Sequence, residues 1–98
     1  MFIYNVTVNL DESVHEEWLN WMKTKHIPDV LMTGCFTGAR VLKVLADDEG
    51  VTYSVQYDFD TMERYDRYRA EFAPALQKEH MDRYSNKFVA YRTLLERV

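Results

Sequence analysis

Two histidines, His26 and His80, stand where proton chemistry would be simplest to build. An imidazole titrates near pH 6.5, so it can give or take a proton at about neutral pH, as an isomerase or a cofactor-free oxygenase requires. His26 ends a helical pattern within Glu16 to Val30, EEWLNWMKTKHIPDV, the stretch around which the rest of the chain is organised. At about 100° per residue, Val14, Trp18, Leu19, Trp21 and Met22 share one arc with His15 and His26. Glu16, Glu17, Asn20, Lys23 and Thr24 fill the other side. In the second half of the chain Ala73, Leu76, His80 and Tyr84 share an arc in the same way. Both histidines therefore face whatever their helices cover. The expectation is one cleft within a subunit, with His26 and His80 as candidate acid–base groups. Trp18, Met22 and Leu76 would surround them and Tyr53 or Tyr57 would form the floor. Desolvation there lowers an imidazole pKa unless a carboxylate such as Asp29 holds the charged form. The plainer reading is that each histidine hydrogen-bonds a neighbouring backbone group or carboxylate at a helix end.

Neither a metal nor a cofactor is expected. His15 lies about three turns before His26, too far for one ion to bridge both, and Asp29 and Asp58 complete no zinc spacing. Cys35, beside Gly34, has no adjacent His or basic residue to activate it and reads as a small buried filler. Tyr53, Tyr57, Tyr65, Tyr68 and Tyr84, with Trp18 and Trp21, are mostly core, although such flat surfaces also line sites for planar ligands. Arg40 and Arg92 fall within strands. Each would pair across an interface unless it faces the cleft, where a guanidinium would bind a carboxylate.

The elements that must position these residues follow from periodicity. Phe2 to Leu10 alternates, with Tyr4, Val6, Val8 and Leu10 on one face and Ile3, Asn5, Thr7 and Asn9 on the other, as a strand does. Ser13 and Glu16 have capping-box spacing for a first helix that runs to about Lys25 or His26. Pro28 suits the start of a fresh helical turn and Gly34 its stop. Phe36 to Leu45 reads as a second strand, Asp47 to Gly50 as an acidic hairpin turn, and Val51 to Phe59 as a third strand. Asp60 and Glu63 repeat the capping spacing before a long helix to about Tyr84, with a kink near Phe72 or Ala73 imposed by Pro74. Lys87 to Glu96 closes a β-α-β-β-α-β order. That order predicts an α+β fold, one domain over residues 1–98, with both helices on one face of a four-stranded antiparallel sheet.

Composition narrows the partners. The 98 residues include 47% hydrophobic and 29% charged, an ordinary globular balance. A net charge of −4 argues against a nucleic-acid partner, because phosphates call for a basic surface. Polar residues alternate through Met1 to Leu10, so no signal peptide is expected there, and no stretch approaches the ~20 apolar residues that span a membrane. The single cysteine points to a reducing cytoplasm.

The strand face turned away from the helices carries Asn5, Thr7, Asn9, Thr52, Ser54 and Gln56, polar but uncharged. A solvated face normally carries Lys and Glu. A neutral one suits packing against a second copy, so a homodimer through Asn5, Thr7, Thr52, Ser54 and Gln56 is expected. With this face, the size and the order of elements, the chain resembles the dimeric α+β barrel superfamily of ferredoxin-like proteins. IYNVTVN, WLNWMKTKHIPDV, FTGAR, TYSVQY and FVAYRTLLE further resemble a family of short bacterial proteins of unknown function. The resemblance implies fold and dimerisation and carries no activity. Haem-degrading relatives in the superfamily pair an Asn of the first strand with a His and a Trp of the second helix. Asn5 and His80 match two of these, while the second helix here has no Trp. Three readings follow: a cleft for a small planar organic molecule, a dimeric module whose helices dock a partner, and a haem-binding or haem-degrading relative.

Overall fold

The alternation of Phe2–Leu10 decides the layering, because this strand, β1, lies inside the sheet and shows both of its faces to other residues. The computed structural model describes residues 1–46 and 49–98. In it, β2 (Gly38–Lys43), β3 (Val51–Phe59) and β4 (Phe88–Glu96) join β1 in an antiparallel sheet ordered β2-β3-β1-β4. Tyr4 stands opposite Tyr57 and Leu94, and Asn5 opposite Gln56 and Thr93, so each row of one character continues across strands.

Two helical runs connect the strands. The first consists of α1 (His15–Trp21), a π turn (Met22–His26) and α2 (Ile27–Leu31). The second consists of α3 (Met62–Arg67), a π turn (Tyr68–Phe72) and α4 (Ala73–Tyr84). Each π turn ends two residues before a proline, Pro28 or Pro74. A proline ring crowds the carbonyl four residues back and brings no N–H, and a wider i→i+5 turn relieves that conflict without ending the helix. The kink expected at Phe72 takes this form. The expected end of the first helix at Lys25 or His26 does not occur, since the run continues to Leu31. Gly34, at φ +76°, stops it as anticipated, with the Gly34 amide donating to the Leu31 carbonyl at 3.2 Å.

Three local expectations need correction. The Ser13–Glu16 capping box does not form. The Asp11 carboxylate instead accepts from the Ser13 amide (2.9 Å) and hydroxyl (2.6 Å), which leaves Ser13 unable to cap. The second helix is capped by Thr61 rather than Asp60, through a bond from the Arg64 amide; Asp60 pairs with the Arg64 guanidinium. The second strand is confined to Gly38–Lys43, shorter than Phe36 to Leu45, because the Phe36 ring turns into the core against Tyr4, Tyr57 and Tyr68. Asp47 and Asp48 of the expected acidic turn lie outside the described residues.

Tyr4, Val8, Leu10, Tyr53, Val55, Tyr57 and Phe59 of the sheet are buried in one cluster with Trp18, Trp21, Met22, Val30, Tyr68, Ala73 and Tyr84 of the helical runs. Both runs therefore cover the same sheet face. Aromatic rings dominate the contacts, and each contributes a large buried area. Cys35 is also fully buried here, the filler expected of it.

Gly50, at the foot of β3, has φ +75°, and a Cβ there would run into the Leu10 carbonyl oxygen. Asn9 ties the same corner, its amide donating to the Glu49 carbonyl and the Thr52 hydroxyl, each at 2.9 Å. Gly34 has a similar φ but open space around its Cβ position. We expect Gly34→Ala to cost about 1 kcal/mol of stability from backbone strain alone, and Gly50→Ala about 2–3 kcal/mol. Urea unfolding of the two variants checks this; equal losses would show that the approach to Leu10 is unimportant.

Candidate functional site

Between the helical runs and the sheet lies a cavity of about 440 Å³, within the size range of small-molecule sites. The sheet contributes Tyr4, Tyr57 and Arg92 among others, and the helices contribute Met22, His26, Tyr68, Gln77 and His80. His26 and His80 thus meet at one cavity of one subunit, with ring centroids 5.9 Å apart. Met22 and Tyr57 line it too, Tyr57 rather than Tyr53 forming the floor.

Three of the expected surrounding residues lie off the cavity. Trp18 is completely buried behind His80. Tyr53 stacks on Trp18 at 5.2 Å and places its hydroxyl 3.1 Å from His15 Nδ1, at the other end of the first helix. Leu76 packs against the core cluster and does not line the cavity, although its neighbour Gln77 does.

The two imidazoles are held differently. The Trp18 indole Nε1–H donates to His80 Nε2 at 2.8 Å. An indole N–H can only donate, so His80 Nε2 must be unprotonated, and the neutral ring carries its proton on Nδ1. His26 Nδ1 is buried and has no hydrogen-bond partner among the described residues, while its ring packs on Trp21 at 5.0 Å. Burial pushes the His80 pKa down to about 4, with the neighbouring His26 and Arg92 charges acting in the same direction. Burial also lowers His26, although Glu79 and then Asp29 pull the other way. Asp29 does not hold His26 charged, for it pairs with Lys25 one turn before it. Both imidazoles are neutral at pH 7. Burial likewise raises the phenols of Tyr57 and Tyr68, and that of Tyr4 despite the opposing Arg92 charge.

Sequence reasoning left Tyr4 and Gln77 out of the site and named Tyr68 only among the tyrosines that are mostly core yet could line one. Gln77 sits three residues before His80, a spacing that places the two on one helix face. Tyr4 and Tyr68 were legible as buried, but nothing in their spacing marks a gap beside them. Arg92 satisfies the condition set for a strand arginine facing the cleft: it stands opposite Val6 and donates from Nε to the Tyr4 hydroxyl at 3.1 Å. Arg40 does not await a second copy. It forms a forked pair with Asp58 of its own chain, at 2.8 to 3.2 Å. Asn5 lies on the sheet face opposite the cavity, bonded to Ser54 (2.5 Å) and Thr7 (3.0 Å). Asn5 and His80 therefore cannot flank one ligand within a subunit, which removes the haem-cleaving arrangement.

Solved structures share this fold. A dimeric ferredoxin-like protein from an uncultured marine organism aligns with TM-score 0.72 at 14% identity, over 99% of this chain and 96% of its own. A second such protein, also from an uncultured marine organism, gives 0.70 at 17% identity over 100% and 95%. An ethyl tert-butyl ether d (ethd) family protein from Bacillus halodurans gives 0.68 at 11% identity, over 100% of both chains. At such identities the likeness establishes the ferredoxin-like α+β fold and nothing about chemistry. No curated protein matches the chain in sequence. One family does, along all of residues 1–98, and the chain belongs to it: the family described as domain of unknown function, DUF4286.

Proposed function

We propose that this single-domain protein works as a cytoplasmic homodimer. Each subunit takes up a small planar organic molecule in its helix–sheet cavity, and the His26–His80 pair forms the polar contact to that molecule. The observation that carries this reading is that His26 and His80, on different helical runs, line one cavity with their rings 5.9 Å apart. The aromatic surroundings favour a flat ligand body. With both pKa values below neutrality, the pair hydrogen-bonds and polarises a bound group before it takes up a proton. The exposed helix surfaces carry i,i+4 ion pairs such as Arg67–Glu71 and Lys78–Asp82, which favours the cleft over a helix-docking module.

The dimer reading rests on the outer sheet face. Its neutral row is internally bonded through Asn5, Ser54 and Gln56. It is flanked by apolar side chains left in solvent: Leu42 is 48% exposed, Tyr91 63% and Val89 71%. Such a surface gains from being covered. The two marine proteins of like fold are themselves described as dimeric.

A thermal-shift screen with small aromatic acids, lactones and haem should raise the melting temperature for at least one ligand class. His26→Ala should fold and dimerise normally yet lose that response. A variant that keeps the full response would end the cavity reading.

The His80 pKa gives a stability profile. Because it falls below the unfolded value of 6.5, folding is fully favoured above pH 6.5 and loses that contribution as pH drops towards 4. Urea unfolding of the wild type should show a loss on the order of 2 kcal/mol across this window from His80, and His80→Gln should flatten that part of the slope.

Sedimentation of the wild type at micromolar concentration should give twice the chain mass of 11.7 kDa, and Ser54→Lys should shift it towards the single chain. A wild-type monomer would contradict the assembly.

A further inference from the structure

We infer that the molecule taken up in the cavity is an organic carboxylate, anchored by Arg92. The inference rests on the cavity reading above and narrows it to a ligand class. Arg92 is the one charged side chain among the described residues that line the cavity, and no Asp or Glu lines it. Arg40, Arg64, Arg67 and Arg83 each meet a carboxylate, whereas Arg92 forms no ion pair among the described residues. Its Nε is used on the Tyr4 hydroxyl, which fixes the guanidinium plane and leaves the donors of both terminal nitrogens. That fork matches the two oxygens of a carboxylate.

The surroundings limit the ligand further. The two histidines are neutral, so they add no second cation. One guanidinium suits a monoanion better than a dianion. Val6, Val8, Val55 and Met22 supply an apolar wall for the rest of the molecule, and the His26 and His80 imidazoles that line the same cavity suit a polar substituent on it. The class is an aromatic or conjugated monocarboxylic acid bearing a hydroxyl or oxo group.

The test compares charged ligands with neutral twins of the same shape. Benzoate, 4-hydroxybenzoate and 2-naphthoate are each titrated calorimetrically beside the corresponding primary amide. In the wild type at least one acid should bind at least about tenfold more tightly than its amide, the ratio expected for a charge-assisted contact. Arg92→Gln should remove that preference while leaving amide binding, and Arg92→Lys should restore part of it. Amides that bind as well as their acids overturn the carboxylate inference and leave the cavity reading standing. Failure of acids and amides alike overturns both. The wild-type comparison decides the matter even if Arg92→Gln fails to fold.

Discussion

The hydrogen bond from Trp18 to His80 holds the arrangement together. A fully buried indole N–H needs an acceptor, and in an aromatic core the backbone carbonyls are already engaged in helices and strands. His80 supplies the acceptor from the other helical run, 62 residues away. The contact does three things at once. It satisfies the tryptophan, fixes the separation of the two runs over the sheet, and determines which nitrogen of His80 is free of a proton. The cavity lies beside this tie, so its shape and its protonation state have a common origin.

The two faces of the sheet divide the remaining work. On the inner face, large rings pack to near completion except where Tyr4, Tyr57 and Tyr68 leave room beside the histidines. The polar groups there are few and mostly neutral, and the one charged group at the cavity, Arg92, stands at its solvent-exposed edge. On the outer face, small amides and hydroxyls bond to one another along and across the strands. Those bonds use much of the hydrogen-bonding capacity of the Asn5, Thr7, Ser54 and Gln56 side chains within the sheet itself.

Much of this arrangement was legible because it follows from periodicity. The period-two alternation of Phe2–Leu10 and Val51–Phe59 assigned both strands to the residue and separated Tyr4 from Asn5. The helical arcs brought His26 and His80 to one place. What the pattern could not convey was depth. Trp18 and Leu76 share those arcs yet sit behind the cavity, because an arc gives direction around a helix and not the space left by neighbours. Capping was misplaced for a related reason: Ser13 and Asp60 have the right type and spacing, but Asp11 and Arg64 compete for them locally. Arg92 was ambiguous until the register placed it opposite Val6.

The π turns carry a further consequence. A helix is a ruler with a fixed angular step, and each wide turn slips one extra residue into it. Everything beyond Met22–His26 is rotated by about 100° relative to an unbroken helix. Lys23, Thr24 and Lys25 fill the solvent side of that wide turn. Regularising the segment at constant length would swing the His26 imidazole by about 100°, away from its counterpart on α4. Deleting one residue between Trp21 and His26 would remove the extra residue and leave the imidazole in phase. The wide turn is therefore what lets a helix with this number of residues present both Trp18 and His26 to the same side.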